Sequence, residues 1–168
     1  MSELREAVVE RLGAYRKMLN PDNKGWRVLE VGIDGDEKPG GNYKLFGIGN
    51  EYKTLDFLPR LKPDYVADIT DTKMLAGEWN LIICSQVLEH VFEYEKAIRE
   101  IFRLLKTGGW AIIDIPFQFQ YHGQPDYDDY WRMSHKALNK VLRNCGFEPE
   151  WVELVNPGLV ISLSKKPL

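Results

Sequence analysis

Apolar positions along the chain recur with two alternating periods. Leu4, Val8, Leu12, Tyr15 and Leu19 fall at helical spacing, so residues 3–19 are predicted as an amphipathic helix. Asn20-Pro21-Asp22-Asn23 ends it, because proline cannot continue a helix and its polar neighbours favour turns. Trp26 to Val31 then reads as a short buried strand closed by Gly32. Further strands are predicted at 52–56, at Val66-Ala67-Asp68-Ile69, at Trp79–Cys84 and at 110–115, the last stopped by Pro116. Trp79–Cys84 is apolar on both faces, as in the interior of a parallel sheet. Residues 93–105 place Ala97, Ile98, Ile101, Phe102 and Leu105 on one helical face, with Lys106-Thr107-Gly108-Gly109 as a glycine stop. Ser134 is the predicted N-cap of a helix running to about Asn144. Two last strands, 147–154 and 159–164, are joined by the turn signal Asn156-Pro157-Gly158 and are expected to be antiparallel. Residues 33–51 fit no single helix, since they hold five glycines and Pro39.

Strands alternating with helices predict an α/β fold with a mostly parallel sheet covered on both faces. Ligands on such sheets bind beyond the carboxyl ends of the strands. That directs attention to the loops after Val31, Asp56, Asp68, Cys84 and Ile115. The length of 168 residues suits one domain, 1–168, with an N-terminal helix over 1–20 and a core over 26–168. A net charge of -3 provides no footprint for nucleic acid. No apolar run reaches the roughly 18–20 residues of a membrane helix, and no membrane role is expected. The start, Met1-Ser2-Glu3-Leu4-Arg5-Glu6, is charged and amphipathic, unlike a signal peptide. Cys84 and Cys145 sit in apolar stretches outside any Cys-x-x-Cys pair, so both read as buried free thiols of a cytoplasmic protein. The histidines are not at metal-site spacing relative to them, and no metal site is expected.

Three strand ends carry an acid. Glu30-Val31-Gly32 combines a carboxylate with a glycine that lets a ligand approach the backbone. Asp56, followed by Phe57, is placed to accept from both hydroxyls of a ribose. Asp68 can accept from an exocyclic amine while Ile69 packs on a flat base. The loop Gly32-Ile33-Asp34-Gly35-Asp36-Glu37 decides between nucleotides. Its three acids repel a pyrophosphate, which needs backbone N–H groups and glycines, and suit a ligand bearing an ammonium and a sulfonium.

With these features, Val28-Leu29-Glu30-Val31-Gly32, Thr54-Leu55-Asp56, Val66-Ala67-Asp68-Ile69, Ile83-Cys84-Ser85-Gln86-Val87-Leu88-Glu89-His90-Val91 and Arg103-Leu104-Leu105-Lys106-Thr107-Gly108-Gly109 resemble the class I, Rossmann-like S-adenosylmethionine-dependent methyltransferases, in particular the type 11 methyltransferase domain. The likeness spans residues 26–150. It implies a doubly wound seven-stranded sheet of order 3-2-1-4-5-7-6 with strand seven antiparallel. It also implies that S-adenosylmethionine lies along Glu30, Gly32, Asp34, Gly35, Asp56, Phe57, Asp68, Ile69, Ser85 and Gln86. Glu89 and His90 belong to the same pattern. One departure stands out: where the pattern runs Gly-x-Gly-x-Gly, this chain has Asp34 and Asp36, with Gly35 out of register.

Residues 117–133 are rich in aromatic and acidic groups, and His122…Asp129-Tyr130-Trp131-Arg132 is similar to a signature associated with bacterial surface-glycan methyltransferases. His122 is the leading candidate base, its ordinary pKa lying near neutrality, and Asp129 is second. Tyr121, Trp131 and Arg132 are candidate acceptor contacts. Expected, then, is methyl transfer to a small or glycan-type hydroxylated acceptor by a monomer or homodimer. The alternative is a degenerate, non-catalytic methyltransferase-like binding module.

Overall fold

A computed structural model describes residues 3–19, 24–33, 41–155 and 158–168. Seven strands form one sheet: β1 Arg27–Val31, β2 Glu51–Asp56, β3 Tyr65–Val66, β4 Trp79–Ser85, β5 Leu105–Pro116, β6 Glu148–Val155 and β7 Leu159–Lys165. Their order is β3-β2-β1-β4-β5-β7-β6. Neighbours from β3 through β5 are parallel, and β7 is antiparallel to both β5 and β6, as expected. The turn expected at Asn156-Pro157 lies outside the described residues.

The sheet divides the apolar residues into two layers by strand alternation. Leu29 and Val31 of β1, Cys84 of β4, and Ala111, Ile113 and Ile115 of β5 face helices α3 (Tyr94–Leu104) and α4 (His135–Asn144). Val28, Leu81, Ile83 and Ile112 face the other way, onto Val8, Leu12 and Tyr15 of α1 (Glu3–Leu19) and Phe46 of the single-turn α2 (Tyr43–Phe46). Every one of these side chains is buried, and truncating a core leucine or isoleucine to alanine costs about 2–5 kcal/mol. Cys84 and Cys145 are buried free thiols.

Helix α3 ends differently from the expected glycine stop. Leu105 caps it in an extended conformation and β5 begins there, five residues before the expected start at 110. Gly108 and Gly109 are inside the strand. A Cβ on Gly109 would stand 3.1 Å from the Trp79 carbonyl oxygen and 3.2 Å from that of Asn80. The glycine therefore lets β5 pass close to the irregular start of β4, where register shifts between Trp79 and Leu81. Ser134 does cap α4, its hydroxyl accepting from the Ala137 N–H at 3.2 Å. No described helix is long and apolar enough to cross a membrane.

Candidate active site

The carboxyl ends of β1, β2 and β3 make one half of the site edge. Gly32 leaves β1 at φ +80, and a Cβ there would collide with the Val87 side chain, so only glycine fits. Its N–H donates to the Leu55 carbonyl at 2.9 Å. Asp56 is buried at the end of β2. Its Oδ2 accepts from the Ile33 N–H at 2.9 Å and its Oδ1 from the Leu58 N–H at 2.8 Å, which pins the loops after both strands. Each oxygen retains a second lone pair. Phe57 beside it is 49% exposed. Asp68 is exposed beyond β3, with Oδ1 accepting from the N–H and hydroxyl of Thr70 at 2.8 Å. Ile69 is buried in the core, which leaves Phe57 as the more accessible apolar face at these ends.

Glu30 is turned inward. Its Oε1 accepts from the side-chain amide of Asn42 at 2.6 Å and from the Asn42 N–H at 3.2 Å, and its Oε2 from the Tyr52 hydroxyl at 2.8 Å. Burial raises its pKa against those bonds. Its visible work is to tie the β1–β2 connection to β2. Asp34 and Gly35 lie outside the described residues.

The other half of the edge is built by β4, β5 and the loop 117–133. Gln86 follows β4 at φ 54, a left-handed conformation unusual outside glycine. Its side-chain amide donates to Asp114 Oδ1 at 2.6 Å. Ser85, half-buried, stands beside Asp114. Asp114 is fully buried, its Oδ2 has no hydrogen-bond partner among the described residues, and burial lifts its pKa to about 6. Nothing in the sequence reading pointed to Asp114. The available signal was one acid inside the apolar run Ile112-Ile113-Asp114-Ile115.

After Gln86 the chain makes a 3-10 turn, Leu88–His90, and the long loop zips onto it. Tyr130 N–H donates to the Glu89 carbonyl at 2.7 Å, and the Trp131 indole N–H to the Val91 carbonyl at 3.1 Å. Trp131 also stands edge-on to Tyr94. Arg132 bonds both oxygens of Asp129, and its remaining donors reach the carbonyls of Phe119 at 3.0 Å and Gln120 at 2.8 Å. These two residues hold the loop's shape. Tyr121, 69% exposed, is the accessible member of the expected acceptor contacts.

The zipping brings together residues far apart in sequence. His122 Nδ1 stands 3.1 Å from Asp129 Oδ2, which also accepts from the His122 backbone N–H at 2.8 Å and from Arg132 at 2.7 Å. Arg132 and that N–H hold Asp129 down at about 2, so it is an anion at any physiological pH. The rings of His90 and His122 meet edge to face at 4.9 Å. Between them lies Glu89, 0% exposed, its Oε1 3.8 Å from Nε2 of each histidine. Burial, reinforced by Asp114 and Asp129, pushes its pKa to about 8. Burial lowers that of His90. The arrangement offers an imidazole backed by an ionised carboxylate at the end of β4 and β5, the arrangement of an oriented general base.

The sheet order, with its antiparallel seventh strand, and a ligand edge lined by strand-end acids define the class I methyltransferase fold. A family model described as a methyltransferase domain matches residues 3–152, and the chain belongs to that family. No curated protein matches it by sequence. Among solved structures it is similar to 1,6-didemethyltoxoflavin-N1-methyltransferase of Burkholderia thailandensis, crystallised with 1,6-didemethyltoxoflavin and S-adenosylhomocysteine. Identity is 13% and TM-score 0.72, covering 94% of this chain and 77% of that one. Phosphoethanolamine N-methyltransferase 2 of Haemonchus contortus, bound to S-adenosylmethionine, aligns with 14% identity and TM-score 0.71 over 95% of this chain and 53% of its own. A [4+2]-cyclase aligns with 17% identity and TM-score 0.68 over 94% and 80%. At these identities the likeness is one of fold.

Proposed function

We propose that the protein is an S-adenosylmethionine-dependent methyltransferase acting on a small or glycan-type hydroxylated acceptor. Family membership and fold support the reaction class. The acceptor class rests on one observation: His122, backed by ionised Asp129, at the edge where β4 and β5 end.

The residues present fit the cofactor. Asp56 keeps a free lone pair on each oxygen for the ribose hydroxyls, Gly32 keeps the β1 end open, and exposed Asp68 has an oxygen for an exocyclic amine. When bound, S-adenosylmethionine supplies a methyl group on a sulfonium, ready for in-line displacement. The chain's own task is then to position the acceptor oxygen and take its proton. The Nδ1 of His122 faces two acceptors, Asp129 Oδ2 and the Gln120 carbonyl at 3.2 Å, and an Arg132 nitrogen at 3.3 Å that is already engaged by Asp129, which favours the hydrogen on Nδ1 and leaves Nε2 as the basic atom. Asp129 stabilises the imidazolium that forms. Tyr121 offers an exposed aromatic face for a sugar ring.

A second reading, a methyltransferase-like module without turnover, is favoured by Glu30. Its carboxylate is buried and accepts three hydrogen bonds from Asn42 and Tyr52, so it is turned away from an incoming ammonium. Calorimetric titration of S-adenosylmethionine and S-adenosylhomocysteine, followed by S-adenosylhomocysteine release in the presence of nucleotide sugars and glycans, separates the two. Binding with turnover on a hydroxylated acceptor supports the enzyme. Folded protein that binds neither compound is the module.

A further inference from the structure

Glu89 is the anomaly of the molecule. Both of its carboxylate oxygens are buried, and neither has a hydrogen-bond partner among the described residues. A buried carboxyl left this way is costly, and natural interiors rarely keep one without a compensating group. Its surroundings indicate what that group is. Nδ1 of His90 lies 2.7 Å from the Asp128 carbonyl oxygen, which can only accept. The hydrogen of His90 is therefore on Nδ1, and Nε2 presents a lone pair. His122 is set the same way by Asp129 Oδ2 and the Gln120 carbonyl, although an Arg132 nitrogen, itself bonded to Asp129, also stands 3.3 Å from its Nδ1. Two imidazole lone pairs and one carboxylate oxygen thus converge, all within 4.8 Å of one another.

We propose that Glu89, His90 and His122 form a binding site for one divalent first-row transition-metal cation such as Zn2+. Two imidazole nitrogens and a carboxylate are a donor set for such ions, whereas Mg2+ and Ca2+ prefer all-oxygen sites. Metal–ligand bonds of about 2.0–2.1 Å in tetrahedral geometry put donor atoms about 3.4 Å apart, so the 3.8 Å separations close by a small rotation of each side chain. The outer contacts are those of a metal centre. His90 directs its other N–H to the Asp128 carbonyl and His122 to the Gln120 carbonyl, with the Asp129 carboxylate 3.1 Å away, which fixes the tautomers and strengthens the ligands. Three protein ligands leave a coordination position open, and both imidazoles retain solvent exposure, 14% and 28%. A hydroxyl bound at that position is acidified by the cation. The site therefore goes beyond the methyl-transfer reading: with the cation bound, His122 is a ligand, and coordination replaces its action as the base.

The test is titration of Zn2+ and of Co2+ into chelator-treated full-length protein. The expected result is one equivalent of either ion, with a Co2+ visible spectrum of nitrogen and oxygen ligands and no thiolate charge-transfer band. His90→Ala and His122→Ala should each weaken binding by about a hundredfold or more, and the positioning variant Asp129→Asn by about tenfold. His135→Ala, on the exposed start of α4, should leave it unchanged. Glu89→Gln, which is isosteric, should lose the ion while keeping its thermal midpoint. No binding, or binding unaffected in both His90→Ala and His122→Ala, overturns the proposal. Titrating S-adenosylmethionine into the same metal-free protein keeps the outcomes separate. Loss of the metal site with cofactor binding intact rejects the cation alone, and metal binding without cofactor binding rejects the methyltransferase alone.

Discussion

At the ends of β1 and β2, Glu30 and Asp56 are buried carboxylates whose oxygens all meet donors supplied by the chain itself. At the ends of β4 and β5, Glu89 and Asp114 are buried as deeply, yet among the described residues the Glu89 carboxyl meets no hydrogen-bond donor and Asp114 lacks one on Oδ2. One sheet edge thus has a finished half and an unfinished half. The finished half is a scaffold whose carboxylates organise loops and keep spare lone pairs for a ligand. The unfinished half keeps carboxyl groups that burial shifts toward their protonated forms, at the place where a reaction would move a proton or hold a cation. Gln86, in a left-handed conformation, links this half's β4 end to the loop that carries Glu89.

The largest expected effect follows from the unfinished half. His122→Ala should lower turnover by about 10²–10⁴-fold while changing the S-adenosylmethionine dissociation constant by no more than about twofold. Single-turnover kinetics together with calorimetry measure both. Equal loss of the two would erase the division between the halves.

Asp56→Ala should do the reverse. Removing a charged acceptor of hydroxyl donors costs about 1.5–3 kcal/mol, or about 10–100-fold in cofactor affinity. The loss of its bonds to the Ile33 and Leu58 N–H groups will also lower stability, so calorimetry belongs at a temperature well below the variant's midpoint. Gly32→Ala probes the same half through the backbone. The φ of +80 and the collision with Val87 should together cost about 2 kcal/mol, seen as a lowered thermal midpoint.

The sequence announces the two halves unequally. Glu30, Gly32, Asp56 and Asp68 stand at strand ends, and strand ends follow from local apolar runs, so position alone marks them. The order of the strands came from motif resemblance, because pairing between distant strands leaves no local trace. The acid-rich cluster behaves differently. Glu89 and His122 are brought together by a loop whose shape depends on Arg132 reaching Asp129 and two carbonyls. Arg132 and Trp131 look from sequence like acceptor contacts because both are large and lie near the site. Only the fold shows that their polar groups are already engaged. The mistaken glycine stop after α3 has the same origin: Gly109 answers to the backbone of β4, which is distant in sequence.

Glu100 supplies the smallest effect and the sharpest control, because it is a buried carboxylate on α3 that belongs to neither half. Its Oε1 accepts from the Thr72 N–H at 3.0 Å and the Thr72 hydroxyl at 2.5 Å, and both its oxygens bond Arg103 at 2.7 Å. Arg103 and Thr72 outweigh burial and hold its pKa at about 2, below the ordinary carboxylate value of 4.5. For a group depressed on folding, the contribution to stability is complete above the ordinary value and is lost as pH falls from there through about 2. Arg103 is 40% exposed, so screening limits the contribution to the order of 1 kcal/mol. Glu100→Gln should therefore destabilise the protein near neutral pH by about that amount and flatten the acid limb of its stability curve, measured by urea unfolding from neutral to acid pH. An acid limb of unchanged slope in this variant would mean that carboxylates elsewhere control acid stability. In that case the contrast between satisfied and unsatisfied acids would not extend beyond the site.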